Sequence, residues 1–153
     1  MEFDDRLDVE WLILADAAQI NGNKLFLLGG GWNQLAINSR PASHHMAVAV
    51  SFRVPWSETN RKHSFEVQIA DGDGKTLGRV PGQFEVGRPP GLPPGSPQRG
   101  QIAVDMTLQL ETLGSYMITA AIDGREGRSF PFYVIPGPAL AAEMQGEGNS
   151  GQE

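Results

Sequence analysis

Along most of this chain, apolar and polar residues alternate with a period of two. Met46, Val48, Val50, Phe52 and Val54 share one parity, with Ala47, Ala49, Ser51 and Arg53 between them. Ile102, Val104, Met106, Leu108 and Leu110 repeat the pattern, as do Phe65, Val67 and Ile69, then Tyr116, Ile118, Ala120 and Ile122, then Phe130, Phe132 and Val134. A strand turns successive side chains to opposite faces, so each run reads as a strand with one face on a core. Residues 9–18 and a run from Leu25 towards Gly29-Gly30-Gly31-Trp32 add a first pair, and 76–86 a shorter strand. Asn21-Gly22, Asp71-Gly72, Asp73-Gly74 and Asp123-Gly124 punctuate the runs, and these dipeptides suit the positive φ of tight hairpins. The pattern predicts an all-β fold: an antiparallel Greek-key β-sandwich, immunoglobulin-like or C2-like, of about seven or eight strands. Pro131 places the last strand at a sheet edge.

Two segments interrupt the alternation. Residues 87–100 are rich in proline and glycine and read as a long loop without ladder pairing. From Gly137 the chain is small and polar. Pro138 to Met144 would support a helical turn or two, and the remainder reads as a flexible tail. One domain over 1–136 with a tail over 137–153 is the expected organisation.

The segment Leu110-Glu111-Thr112-Leu113-Gly114-Ser115-Tyr116 has the form of a tyrosine corner. In that motif the phenol bonds back to the chain a few residues upstream and fixes a crossover between sheets. Gly114 and Tyr116 are therefore structural candidates.

The first hairpin is different from the rest. A two- or four-residue turn around Asn21 to Lys24 sets Trp11, Ile13, Ala15, Phe26 and Leu28 on one face and Leu12, Leu14, Leu25 and Leu27 on the other. Both faces are apolar, whereas strands 46–54 and 101–110 read as one-sided. An antiparallel sheet with one wet face does not need this, so something covers the second face. Two covers fit. One is intramolecular, from segment 138–144 or the 87–100 loop. The other is a second chain, as a homodimer or another protein partner, with Leu12, Leu14, Leu25 and Leu27 as the interface candidates.

Composition narrows the chemistry. There is no cysteine, which removes disulfides and thiolate metal sites and is compatible with a reducing compartment. The start, Met1-Glu2-Phe3-Asp4-Asp5, lacks the basic and apolar regions of a secretory signal, and no apolar run is long enough to span a membrane. The expectation is a cytoplasmic protein with no membrane contact. A formal net charge of −6 with no basic stripe speaks against nucleic acid.

Local motifs add little. Gly74-Lys75-Thr76 lacks the upstream glycine of a phosphate-binding loop, since that position is Ile69. Asp71 and Asp73 fail as an EF-hand because the first and last ligand positions would be Ile69 and Val80. A looser calcium site would need carboxylates from elsewhere. His44 and His45 are adjacent and point to opposite faces of a strand, and His63 has no local carboxylate at metal-binding spacing. All three read as solvated strand-edge histidines. Trp11, Trp32 and Trp56 read as packing rather than a stacking platform for sugars or bases. No nucleophile elbow is present, and no catalytic residue or cofactor is assigned.

Three stretches resemble a known family. They are the opening Leu14-Ala15-Asp16 to Gly22-Asn23-Lys24-Leu25 and Gly29 hairpin, the strand Phe65 to Gly74, and the closing Gly114-Ser115-Tyr116 to Asp123-Gly124 hairpin. The likeness is to a family of small, uncharacterised bacterial proteins, catalogued as a domain of unknown function, and covers roughly 8–135. It implies a bacterial, cytoplasmic β-sandwich and carries over no activity or site. The functional expectation is a non-enzymatic protein-interaction or assembly module. The alternative is a ligand-binding module for carbohydrate or calcium, through the tryptophans or Asp71 and Asp73.

Overall fold

A computed structural model describes residues 6–150, with backbone only for 148–150. The acidic start at 1–5 and residues 151–153 of the expected tail lie outside the described residues. Two sheets pack face to face. Sheet A has the order β2-β1-β4-β7, built from β1 (Asp8–Asn21), β2 (Lys24–Gly30), β4 (Ala42–Val54) and β7 (Gln98–Leu110). Sheet B has the order β3-β9-β8-β5-β6, built from β3 (Gln34–Ile37), β5 (Lys62–Ala70), β6 (Thr76–Glu85), β8 (Gly114–Ile122) and β9 (Arg125–Pro136). The chain passes repeatedly between the sheets, as Greek-key crossing requires.

The alternating runs become the core. Met46, Val48, Val50 and Phe52 from β4 meet Leu108 and Leu110 from β7, and Val67, Ile69, Ile118, Ile122, Phe132 and Val134 close the sandwich from sheet B. Phe52 stacks on Phe84 with centroids 4.9 Å apart, and Tyr116 on Phe132 at 5.3 Å. The hairpin dipeptides turn as their chemistry demands. Gly22 and Asn23 close β1–β2 with φ of 58° and 60°, and Asp123 and Gly124 close β8–β9 with φ of 50° and 78°.

The structure departs from the sequence pattern in four places. First, the sandwich is not wholly antiparallel: β3 pairs in parallel with Tyr133–Pro136 of β9. Its four residues are too few for alternation to show, and their partner lies a hundred residues away. Second, β9 sits between β3 and β8, so Pro131 is not on an edge strand. Because β3 flanks only Tyr133–Pro136, Pro131 is still open on that side. Third, β7 begins at Gln98, so the last residues of the expected 87–100 loop pair with Phe52–Val54. Fourth, Pro138–Ser150 forms helix α1. Ala139 N–H donates to Asn38 Oδ1, and Leu140, 3% exposed, joins the core. That residue extends the packed unit past 136, where the tail was expected to begin.

Candidate functional site

The first hairpin answers the question of the covered face in an unexpected way. Its register pairs Ala18 with Leu27 and Gln19 with Phe26, which sets Leu12, Leu14, Leu25 and Leu27 on one parity face. The two halves of β1 then part. Up to Ala15 the strand pairs with β4, and there Leu14 lies in the core with Leu12 packed against it. After Ala15 it leaves β4, although β4 continues to Ala42. Asn23, at the hairpin tip, accepts a hydrogen bond from Gln101 Nε2 of β7 (2.9 Å). Gln101 shares its parity with Ala103 and Asp105, opposite to the core-facing Val104 and Met106. The tip therefore lies on the outer face of sheet A, two strands away from β1.

The hairpin is thus an arm folded across its own sheet. Ala15, Ala47, Ala49 and Ser51 on that outer face are fully buried, under the arm and the flanking Trp11 and Ile13. Strand 46–54 is not one-sided as its alternation suggested; both faces are covered. The underside of the arm carries Ala18 and Ile20, which with Gln19 line a space of about 380 Å³ shared with Gln101, Ile102 and Ala103. The departure point needs a close approach. The Asp16 carboxylate lies against Gly29, where a Cβ would stand 2.3 Å from Oδ2, and Gly29 takes φ of 61°.

The other side of the arm is bare. Phe26 is 56% exposed and Leu28 72%. β2 is the outermost strand of sheet A and pairs only with β1. Of the four interface candidates, then, Leu14 is a core residue, Leu12 packs on the core, Leu25 is half-buried and Leu27 is exposed at the edge. Phe26 and Leu28, on the opposite parity, are the more exposed pair.

A polar lock holds the other end of the same outer face. A register shift between Val9 and Trp11 sets Glu10 off the regular ladder. Its carboxylate accepts two hydrogen bonds from Arg99 of β7 (both 2.6 Å) and one from Ser51 of β4 (2.9 Å). The Arg99 hydrogen bond, chiefly, holds the Glu10 carboxyl below its ordinary range, against a smaller opposing effect of burial.

Tyr116, 2% exposed, donates from Oη to Thr112 O (2.7 Å), with Thr112 Oγ1 at 3.1 Å. That is the bond of a tyrosine corner, at the point where the chain crosses from β7 in sheet A to β8 in sheet B. Gly114 takes φ of 114° in the turn before it.

The remaining candidates are spread apart. Asp71 Oδ1 accepts from the backbone N–H of Asp73 (3.0 Å) and Lys75 (2.9 Å), so it caps its own turn. Among the described residues, no three histidine or acidic side chains come together to hold a metal. Trp32 packs edge-on against His44 and Phe132. Trp56 is covered by the Arg88 guanidinium, 4.1 Å from its ring centre. A trough of about 650 Å³ crosses the outer face of sheet B between Gln68, Gln83, Thr119 and Glu126. Its polar groups are largely tied to one another or to neighbours, as in Gln68 to Thr76, and Thr119 through Ser129 to Glu126.

His45 is exposed, beside Asp105 (3.5 Å) and Thr107. His44 is half-buried, and burial, the largest influence, pushes its pKa down. His63 is not a solvated histidine: it is 3% exposed. Its Nδ1 lies 2.8 Å from Asp123 Oδ2 and its Nε2 2.7 Å from Glu58 O. The carboxylate that hydrogen-bonds the ring comes from 60 residues away, so no local spacing could show that bond. The one available signal was that His63 shares the inward parity of Phe65, Val67 and Ile69.

These features define a small two-sheet β-sandwich with a folded-back arm. Residues 10–135 match the model of a family of unknown function, DUF6941, and the chain belongs to that family. No curated protein matches it. Among solved structures it is similar to the CARDB domain of a Pyrococcus furiosus protein, in complex with di-metal ions. The identity there is 11% and the TM-score 0.40, over 85% of this chain and 96% of that one. It is also similar to part of a beta-glucosidase from Listeria innocua in complex with glucose. In that case the identity is 9% and the TM-score 0.44, over 86% of this chain but 16% of the glucosidase. At these values the likenesses carry no argument about function. No helix among the described residues is long and apolar enough to cross a membrane.

Proposed function

We propose that this protein is a non-enzymatic interaction module, and that it works through the bare side and free edge of the β1–β2 arm. The observation that carries the reading is the exposure of Phe26 and Leu28 on a strand that pairs on one side only. An edge strand presents unpaired N–H and C=O groups, and proteins usually blunt such edges with charge, proline or a bulge. Between Lys24 and Gly29 this edge has none of these.

The occupant is a second copy of the chain. Antiparallel self-pairing centred on Leu27 sets Phe26 of each protomer opposite Leu28 of its partner. Such apolar cross-strand pairs stabilise a ladder, and the contact is two-fold and self-complementary. The use of the polar groups supports a non-enzymatic reading. The His63 nitrogens, the Glu10 carboxylate and Asp71 Oδ1 are all engaged in holding the fold.

Sedimentation of the wild type and of Phe26→Glu with Leu28→Glu tests this. A wild-type dimer that becomes a folded monomer in the double variant is the expected result. A monomeric wild type across the dilution series, or a variant that stays dimeric, overturns it. Leu14 is unsuitable for this purpose, since a charge there unfolds the core whatever the arm does.

A further inference from the structure

Both nitrogens of the buried His63 ring face groups that accept hydrogen bonds. Glu58 O is a carbonyl, and Asp123 Oδ2 belongs to a carboxylate whose other oxygen accepts Ser64 N–H (2.9 Å). A neutral imidazole has one N–H and one lone pair, so it satisfies only one of these acceptors; the imidazolium satisfies both. We infer that His63 is held as an imidazolium that latches the 3-10 turn Trp56–Glu58 to the rim of sheet B, and that loss of its proton releases this turn.

The groups around the ring favour the charged form. From the 3-10 turn, the Glu58 carboxylate stands 3.8 Å from Nε2, and Arg61 pairs with that carboxylate (3.3 Å). From the β8–β9 hairpin come Asp123 and, acting on Asp123, Arg125. β6 contributes the Phe84 ring, 5.7 Å away and uncharged. Burial is the largest single influence and disfavours the cation. The hydrogen bonds to Glu58 O and Asp123, with the two negative charges, outweigh it and raise the pKa above the ordinary 6.5. A raised histidine pKa stabilises the fold below the unfolded value and loses that contribution as pH rises through the folded one. The latch is therefore closed on the acid side and opens towards alkaline pH.

The geometry also says which bond breaks. A carboxylate is the stronger acceptor, so the neutral ring keeps its N–H on Asp123 and turns a lone pair to Glu58 O. What is freed is the turn. Beyond His63, the turn and the residues after it are held by Arg88, which donates to Trp56 O (2.7 Å) and Thr59 Oγ1 (2.6 Å), and by Asn60 N–H, which donates to Val86 O (2.7 Å). Arg88 begins the Pro/Gly loop between β6 and β7, so turn and loop base respond together.

Two-bond ¹H–¹⁵N spectra of the imidazole on the wild-type protein read the protonation of each ring nitrogen directly. Below the transition, both nitrogens carry protons. Above it, the amide resonances of Ser57 to Arg61 shift with the same midpoint as the ring, while those of Met46 to Val50 stay still. Asp123→Asn lowers the midpoint, and His63→Gln removes the transition from the turn. A ring with a bare nitrogen at acidic pH, or turn amides that ignore the ring, overturns the inference. The wild-type readout stands even where a variant fails to fold.

Discussion

The outer face of sheet A carries Ala15, Ala47, Ala49 and Ser51, all fully buried; the outer face of sheet B carries Glu66, Gln68, Thr119 and Ser129, all in contact with solvent. Both faces alternate regularly with core-facing residues, yet one is a packing layer and the other a wet surface. The difference lies in what folds over each face and in the side chains that permit it. Alanine and serine leave room for a second backbone layer, and the β1–β2 arm occupies it. On sheet B no second layer lies over the face: its polar side chains bond one another beside an open trough, with Arg79 pairing Glu66 (3.0 Å) and Thr119 bonding Ser129 (2.8 Å). A period-two pattern thus reports which residues share a face. Whether that face is dry depends on what folds over it.

The largest effect separating the two faces is expected from overpacking. Ala49→Leu should cost about 1–3 kcal/mol in a urea titration, because the arm must move to admit it. Gln68→Leu on sheet B should stay within about 0.5 kcal/mol, since nothing lies above it. Equal costs would mean that the arm is not packed on its sheet.

Next comes the joint between the sheets. Tyr116→Phe removes the hydrogen bond that a buried phenol makes to Thr112 O, so a loss of about 1 kcal/mol is expected. Unchanged stability would deny the corner its structural role.

Glu10→Gln loosens the far end of the sheet A face. Glu10 and Arg99 are partly exposed, at 31% and 55%, so about 0.5 kcal/mol is expected at neutral pH and low salt. The Glu10 carboxyl titrates below its ordinary value. Its contribution is therefore complete above that value and fades as pH falls through the folded one. The gap between wild type and variant should close in acid, and a gap that persists there would assign the effect to something other than charge.

The smallest stability effect belongs to the arm's bare side. Phe26→Ser with Leu28→Ser should leave the urea midpoint of the monomer nearly unchanged, within about 0.5 kcal/mol, because these residues touch little of their own chain. A large loss would show that they pack inward, against their exposure.

Much of this is legible in the sequence. Eight of the strands follow from alternation and turn dipeptides, because burial on one face imposes a period that needs no partner to be recognised. The tyrosine corner follows from a Leu, Gly and Tyr at fixed spacing, because its hydrogen bond spans only four residues. β3 was invisible: four residues give too short a period, and its parallel partner lies far along the chain. The burial of His63 does not show in the sequence, because the carboxylate that hydrogen-bonds it is supplied by the closing hairpin. For the first hairpin, two apolar faces marked it as unlike the other strands, but neither 138–144 nor the 87–100 loop covers it: one side of the arm lies on the outer face of sheet A, and the other, with Phe26 and Leu28, is exposed.

Local chemistry, then, determined the elements of this protein: where strands run, where they turn, which residues share a parity, and which single tyrosine ties two sheets. The tertiary structure alone decided which of those parities are dry, which edge is left open, and which histidine is buried between two acceptors. Those outcomes depend on contacts between segments far apart in the chain, such as Asn23 with Gln101 and His63 with Asp123, and a period of two carries no information about which segments meet.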